Sequence, residues 1–274
     1  MPCFDDGSTL DQVLSSLEDQ EPHELVVVDD GSTEPATLGV LDRLRDEGVA
    51  VVRQENAGLS AARMRGVCET SAPYVMPLDA DDELEPGALA ALADALDADP
   101  RAAVAWGDVE VFGELKLRLR PGRALDPWRI TYLNDVPGTS MVRRSALVEA
   151  GGWDMGSGYE DWDLWMAFAE RGLGGVYVPR PVLRYRRRGG RMLTDTIPRH
   201  GELYARLRSR HGALFARRRR TWLRSRAPLR VKALLPLVHR LPLSDFDRHR
   251  LTLLVNDPGQ VLAMRRRRRA PERA

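Results

Sequence analysis

The chain has 274 residues, of which 43% are hydrophobic and 30% charged, and its mean hydropathy of −0.36 argues against both a membrane-embedded and a disordered protein. The formal net charge is only +1, but residues 1–180 carry 34 acidic and 15 basic side chains, whereas residues 181–274 carry 6 and 26. The acidic part suits cations, and the basic end suits phosphates, anionic lipid headgroups or nucleic acid.

Short β-branched runs alternate with segments of helical periodicity along the first hundred residues. Apolar side chains at helical spacing predict helices near residues 10–17, 37–47, 58–70 and 87–96, and the runs between them predict strands at 24–28, 49–53, 73–78 and 102–106. This alternation predicts an α/β fold whose mixed, mostly parallel sheet is flanked by helices. Ligands of such sheets bind beyond the carboxyl ends of the strands.

The second part of the chain changes in character. An irregular basic segment at 115–130 and a Gly-rich turn at Gly151-Gly152 precede a predicted helix over 160–171. Beyond residue 196 the chain consists of Arg-rich amphipathic helices interrupted by prolines. We therefore expect a nucleotide-sugar-binding half over 1–112, a catalytic and acceptor-binding half over 113–195, and a basic helical extension over 196–274.

The strongest local signal is Asp79-Ala80-Asp81-Asp82, which directly follows a predicted strand. Carboxylates separated by one residue on a turn can converge on a hard divalent cation, and such cations typically bridge a diphosphate. An isolated motif of this kind is more often a solvated acidic turn that caps the next helix.

Further polar motifs follow the other predicted strands. Asp29-Asp30-Gly31-Ser32 can accept the imide N–H of a uracil or thymine ring, or can simply begin a helix. The turn from Asn56 to Arg63 opens a helix and offers free N–H groups to an anion. Asp161, in the first turn of its predicted helix, is expected to stay ionised near neutral pH because the helix dipole stabilises the anion.

The order of these motifs resembles that of the family 2 glycosyltransferases of the GT-A fold. The resemblance rests on Pro2-Cys3-Phe4-Asp5, Asp29-Asp30-Gly31-Ser32, Asn56-Ala57-Gly58-Leu59-Ser60-Ala61-Ala62-Arg63, Asp79-Ala80-Asp81-Asp82 and Glu160-Asp161-Trp162-Asp163, and it spans roughly residues 1–195. It implies an inverting transfer of sugar from a UDP- or dTDP-linked donor to a hydroxyl of a glycan or lipid-linked acceptor.

The resemblance also implies a role for each matching residue. Asp79 and Asp81 would hold Mg²⁺ or Mn²⁺, Asp161 would be the general base, and Glu160 would lie on the acceptor side. The donor would be bound by Pro2, Phe4, Asp30, Asn56, Arg63, Asp79, Asp82 and Arg188, the last from a basic loop. Relatives have an apolar strand ahead of the Pro-x-Phe segment, so we expect residues encoded upstream of Met1.

Two alternatives to this function remain at this stage. A nucleotidyltransferase also uses strand-end aspartates, and a truncated homologue would bind nucleotide with weak or no catalysis.

The arginine runs Arg217–Arg220 and Arg265–Arg269 lack the aromatic residues of a nucleic-acid interface, so we expect no specific nucleic acid partner. An anionic membrane surface suits them better, which together with the absence of a signal peptide predicts a cytoplasmic protein at the inner face of the cell membrane.

Overall fold

A computed structural model of the chain describes residues 1–156, 158–187, 198–259 and 261. Its first sheet consists of three parallel strands, β1 (Pro2–Cys3), β2 (Val26–Asp29) and β3 (Ala50–Arg53), in the order β1-β2-β3. Val27 and Val28 of the central strand are fully buried, as expected for a strand covered on both faces. The flanking helices are α1 (Leu10–Ser15), α2 (Pro35–Asp46) and α3 (Leu59–Cys68).

The second sheet is mixed. It contains β4 (Tyr74–Val75), β5 (Glu83–Leu84), β6 (Ala102–Gly113), β7 (Leu117–Leu119), β8 (Met141–Arg143) and β9 (Gly174–Arg187) in the order β4-β8-β6-β9-β5, with β7 paired to β6. Helices α4 (Ala88–Ala98), α5 (Arg144–Ala150) and α6 (Glu160–Glu170) accompany it. The α/β architecture with a mixed sheet and flanking helices is therefore confirmed.

The predicted predominance of parallel pairing holds only for the first sheet. In the second sheet β6 and β9 are parallel, whereas the remaining described pairs are antiparallel. The connection between β6 and β7 is too short for a parallel crossover, which needs a dozen or more residues. The strand predicted over 73–78 is confined to Tyr74–Val75 because Pro77 has no N–H to donate to a neighbouring strand.

The start of the chain pairs with β2. The Met1 amine donates to the carbonyl of Val26 at 2.8 Å, and the amide of Val28 donates to the carbonyl of Met1 at 2.8 Å. A cavity of about 610 Å³ lies beside this pairing and is lined by residues of both sheets, among them Val26, Val75 and Met141. The expectation of an apolar strand ahead of Pro2 stays a prediction.

The C-terminal segment forms five helices within the described residues. They are α7 (His200–Arg210), α8 (Gly212–Ala216), α9 (Arg218–Arg224), α10 (Leu229–Val238) and α11 (Asp245–Asn256). Leu203 and Leu207 pack into the core that contains Trp165 and Phe168 of α6. Val231 and Leu235 of α10 pack against the segment Trp128, Tyr132 and Leu133. Across the described ranges, no helix combines the length and apolar character needed to cross a bilayer.

Candidate active site

Asp30 directly follows β2 and is held by the turn that precedes α3. Its Oδ1 accepts hydrogen bonds from Gln54 Nε2 at 2.8 Å and from the amide of Ala57 at 2.9 Å, while its Oδ2 accepts from the amide of Gly58 at 2.9 Å. The carboxylate is 4% exposed. Three donors fix its orientation and leave lone-pair capacity on its oxygens, because an ionised carboxylate has about four acceptor sites.

Gly31 lets the motif Asp29–Ser32 contact the turn that begins at Asn56. Its φ is +81°, and a Cβ at this position would lie 2.8 Å from the amide nitrogen of Asn56. Only glycine combines this conformation with so close an approach. Asn56 is exposed, and Phe4, which follows β1, is 52% exposed, whereas Pro2 is buried. Of the side chains predicted to bind the donor, Asn56 and Phe4 thus lie at the surface, whereas Pro2 is buried.

Asp5 caps the start of α2. It accepts hydrogen bonds from the amides of Thr33 and Glu34, each at 2.8 Å. These backbone hydrogen bonds, that of Glu34 first, lower the pKa of the Asp5 carboxyl, which favours the charged acceptor. Asp5 has a φ of +50°, and its amide donates to Ser32 Oγ at 3.0 Å, so β1 is tied to the β2 motif.

The turn from Asp79 to Asp82 lies between β4 and β5. Asp79 is partly exposed, while Asp82 is 1% exposed and accepts a hydrogen bond from the amide of Arg186 at 2.9 Å. Arg186 Nε also donates to the carbonyl of Asp81 at 2.9 Å. Burial, reinforced by the charge of Asp79, raises the pKa of Asp82 to about 9. A cation near these carboxylates would oppose that rise.

Arg63 joins this turn to the start of α6. Its Nη2 donates to Asp79 Oδ1 at 3.1 Å, and its Nη1 donates to Glu160 Oε1 at 3.0 Å. The side chain is only 3% exposed, and within the described ranges its Nε is buried without a hydrogen-bond partner. The sequence predicts that Arg63 binds an anion of the donor. In the structure its terminal nitrogens bind the carboxylates of Asp79 and Glu160, so Arg63 links these two residues. Binding of a donor anion by Arg63 stays a prediction.

The first turn of α6 carries the predicted base. Asp161 Oδ2 accepts a hydrogen bond from Asn134 Nδ2 at 2.8 Å, and its Oδ1 accepts one from the amide of Trp162 at 2.7 Å. Burial and the charge of Glu160 raise the pKa of Asp161 to about 6. The expected downward effect of the helix dipole is thus outweighed by burial. The carboxylate still ionises near neutral pH, and its raised pKa makes it a better proton acceptor.

Glu160 is buried beside Asp161 rather than exposed to an acceptor. It is 6% exposed, and its second carboxylate oxygen accepts a hydrogen bond from the amide of Gly158 at 3.1 Å. The chain of contacts from Asp79 through Arg63 to Glu160 therefore ends one residue before Asp161. Asp79, predicted on the donor side, and Glu160, predicted on the acceptor side, therefore both bind the buried guanidinium of Arg63.

Several residues around Asp161 are not apparent from the sequence. Asn134 comes from a loop without a recognisable motif, and Tyr159, which precedes α6 with a φ of +65°, pairs with His200 of α7. No local pattern marks either contact, because each joins segments separated by 27 or 41 residues. The predicted donor-binding residue Arg188 lies outside the described residues.

The donor set fits a divalent cation held by few protein ligands. In the part of the chain that the structure describes, no group of three or more His, Cys, Asp or Glu side chains is arranged to hold a metal ion. Mg²⁺ and Mn²⁺ can be bound through one or two carboxylates, with substrate phosphates and water completing the shell. Asp79 and Asp81, hard oxygen donors on one turn, match that requirement.

Comparison with known proteins identifies the family of the chain. The family described as "Glycosyl transferase family 2" matches residues 1–151. An uncharacterised glycosyltransferase of Mycobacterium tuberculosis is 30% identical over 170 residues, which cover 58% of this chain and 72% of that protein. The succinoglycan biosynthesis protein ExoU of Rhizobium meliloti is 40% identical over 84 residues, which cover 29% of this chain and only 24% of ExoU.

Two solved structures share the fold over nearly the whole chain. TarS of S. aureus, in complex with UDP-GlcNAc, has a TM-score of 0.60 at 16% identity and is matched over 96% of this chain and 82% of its own. The mannosyltransferase PcManGT of Pyrobaculum calidifontis, in complex with GDP-Man and Mn²⁺, has a TM-score of 0.59 at 19% identity, over 93% and 72% of the two chains. At these identities the likeness establishes the GT-A fold.

Proposed function

The chain belongs to glycosyl transferase family 2, and on that premise we propose that it transfers a sugar, with inversion, from a nucleoside diphosphate to a hydroxyl acceptor. The observation that carries the proposal is the bridge that Arg63 makes between Asp79 and Glu160. This bridge sets the carboxylate turn suited to a diphosphate beside the helix start that carries Asp161. Both halves of a displacement reaction are thereby assembled in one site.

The nucleoside would bind at the ends of β1 and β2. Asp30 offers a fixed carboxylate to the imide N–H of a pyrimidine base, exposed Phe4 offers a ring face, and Asn56 lies against the same turn. A uridine or thymidine diphosphate satisfies this arrangement, because only those bases present an N–H between two carbonyls. TarS binds a uridine diphosphate sugar whereas PcManGT binds GDP-Man, so the choice of a pyrimidine base rests on the geometry of Asp30.

Mg²⁺ or Mn²⁺ would be held by Asp79 and Asp81, and Asp82 is buried at the end of the same turn. When bound, such a cation neutralises charge on the leaving diphosphate. The Mn²⁺ in the PcManGT complex supports a divalent cofactor.

Asp161 would take the proton from the acceptor hydroxyl as its oxygen attacks the anomeric carbon. One carboxylate in this role gives a single displacement, and therefore inversion, because the bond to the sugar forms opposite the bond to the leaving diphosphate. Asn134 and the backbone of Trp162 hold the carboxylate in place. The acceptor would be a hydroxyl of a glycan or of a lipid-linked molecule, the class that the family resemblance implies.

The test is sugar transfer from radiolabelled UDP- and dTDP-sugars by the wild type and by Asp161→Asn. We expect the variant to lose at least about 10²-fold in rate while its affinity for the nucleotide, measured by calorimetry, stays the same. Asp42→Asn, on the exposed face of α2, is the matched control and should transfer normally. A variant at position 161 that retains more than about a tenth of the rate would show that the base is another residue.

Two further measurements separate this function from its rivals. Asp81→Asn should abolish the part of nucleotide affinity that chelation removes from the wild type, and equal affinity with and without chelator would exclude the cation site. Incorporation of nucleotide into product without transfer of sugar would identify a nucleotidyltransferase instead.

A further inference from the structure

The C-terminal helices expose apolar side chains that a protein in water normally buries. Of the eleven large hydrophobic residues exposed within the described ranges, nine lie between residues 222 and 254. The largest exposures are 84% for Leu229, 72% for Leu223, 54% for Leu237 and 52% for Phe246. Single exposed leucines are ordinary, but a concentration in one short segment marks an interaction surface.

Helix periodicity puts these side chains on defined faces. Along α10, Leu234 and Leu237 are exposed while Val231 and Leu235 are buried, so one face packs on the protein and the other faces outward. Along α11, the exposed Phe246, Leu253 and Leu254 likewise recur at helical spacing. The two helices are joined, since Arg230 donates to the carbonyl of Asn256 at 3.3 Å and Val255 packs against the Val231 cluster. We call the outward faces of α9, α10 and α11 the C-terminal apolar surface.

The segment that carries this surface is strongly basic. Residues 217–250 contain eleven Arg and Lys side chains and only two Asp, without a Glu. Eight of these arginines are exposed, at positions 217, 219, 220, 224, 226, 230, 240 and 250. Long basic side chains can lay their methylene stems along apolar surface while the charged group reaches polar surroundings. The same segment therefore presents leucines and cations together.

We propose that the C-terminal apolar surface docks onto an anionic lipid bilayer, with its leucines entering the boundary between headgroups and acyl chains and its arginines binding lipid phosphates. Amphipathic helices with basic polar faces bind membranes in this way. Charge complementarity selects this partner over a second copy of the chain, because a symmetric contact would bring like-charged arginine clusters together. Nucleic acid would use the arginines but leave the leucines in water.

The opposite, buried face of α10 packs on the segment that leads to the proposed active site. Val231 and Leu235 pack on Trp128 and Tyr132, and the same segment continues to Asn134, which binds Asp161. Docking would thus bring the region around Asp161 close to molecules held in the membrane. Membrane docking itself does not depend on the proposed sugar transfer, since it is read as binding and not as activity.

The experiment is sedimentation of the full chain with vesicles of phosphatidylcholine alone or with about a third phosphatidylglycerol. The wild type should sediment with the anionic vesicles only. Leu234→Ser/Leu237→Ser should bind those vesicles at least about tenfold more weakly, and Arg219→Gln/Arg220→Gln about 30-fold more weakly, given about a fivefold contribution for each cation near the surface. Circular dichroism should show wild-type folding, because all four side chains are exposed.

The matched control is Val148→Ser/Arg45→Gln, which removes an exposed apolar and an exposed basic side chain from α5 and α2. It should sediment like the wild type. Equal binding of the leucine variant and the wild type would overturn the proposal, since the apolar faces would then have no part in attachment. A dimer in sedimentation velocity that the leucine variant dissociates, without vesicle binding by the wild type, would assign the surface to a second copy instead.

Discussion

The hydroxyl of Tyr159 and Nδ1 of His200 lie 2.7 Å apart, so a hydrogen bond joins the residue before α6 to the first residue of α7. Tyr159 adopts a φ of +65°, a conformation that a bulky residue holds only when its surroundings fix it. Its ring also contacts Trp162 at 5.0 Å between centroids. The C-terminal helices therefore hold the backbone from which Asp161 projects.

We predict that Tyr159→Phe lowers the kcat of sugar transfer about tenfold and leaves the KM for the donor unchanged, because a small displacement of the base affects the reaction more than binding. Initial-rate kinetics over a range of donor concentrations would measure both constants. His200→Gln, which keeps a hydrogen-bonding side chain, should fall between Tyr159→Phe and the wild type. A rise in KM at constant kcat would show that Tyr159 supports the donor pocket rather than the base.

The pKa of Asp161 predicts the pH dependence of the reaction. A base with a pKa of about 6 loses its function as the pH falls through that value, so kcat/KM should decline below about pH 6. The groups that act on it are Glu160, whose charge raises its pKa, and Arg63 and the amides of Asn134 and Trp162, which lower it. Asn134→Ala should therefore move the acid limb of the kcat/KM profile to higher pH. An unmoved limb in that variant would assign the limb to another group.

Arg63 is buried between carboxylates, and its removal would leave them facing each other. We expect Arg63→Met to lower the free energy of unfolding by about 3–5 kcal/mol, because breaking a buried ion pair on one side leaves uncompensated charge. Urea denaturation measures this change. Arg45→Met, in which an exposed pair with Asp42 is lost, is the control and should change the free energy of unfolding by less than about 1 kcal/mol. Adding Glu160→Gln to Arg63→Met should restore part of the loss.

The sequence-based predictions are right where a feature is visible in residues that are neighbours along the chain. Helices α1 to α4 and strands β2 and β3 are evident because each shows its own periodicity, and the family because its motifs occur in order along the chain. The two-residue strands β1 and β5 are too short to show a periodicity. The antiparallel character of the second sheet is not evident, since pairing partners such as Val75 and Val142 are far apart in sequence. Contacts between α6 and the C-terminal helices are equally hidden. The proposed roles of Asp30, Asp79, Asp81 and Asp161 remain predictions.

His211 provides a further contact between the C-terminal helices and α6. Its Nε2 lies 3.0 Å from Asp163 Oδ1 and its Nδ1 lies 3.0 Å from Glu170 Oε2, and the side chain is 6% exposed. A neutral imidazole has one N–H and can donate to only one of these carboxylates, whereas the protonated ring donates to both. Burial lowers the pKa of His211, but its hydrogen bonds and charge interactions with Asp163 and Glu170 outweigh burial and raise it above its ordinary value.

This pairing predicts a stability that depends on pH. A histidine whose pKa is raised in the folded state contributes stability fully below its unfolded pKa of about 6.5 and loses it as the pH rises through the folded pKa. We therefore expect the difference in free energy of unfolding between the wild type and His211→Gln to be about 1.5–3 kcal/mol near pH 6, the range for hydrogen bonds to charged groups, and to shrink towards pH 9. Urea denaturation at each pH gives the difference. His23→Gln, at an exposed position, should follow the wild type throughout. A difference that stays constant from pH 6 to 9 would mean that His211 is neutral in the folded protein. The charge of Asp163 would then be neutralised by Arg210, which donates a hydrogen bond to Asp163 Oδ1 at 2.9 Å.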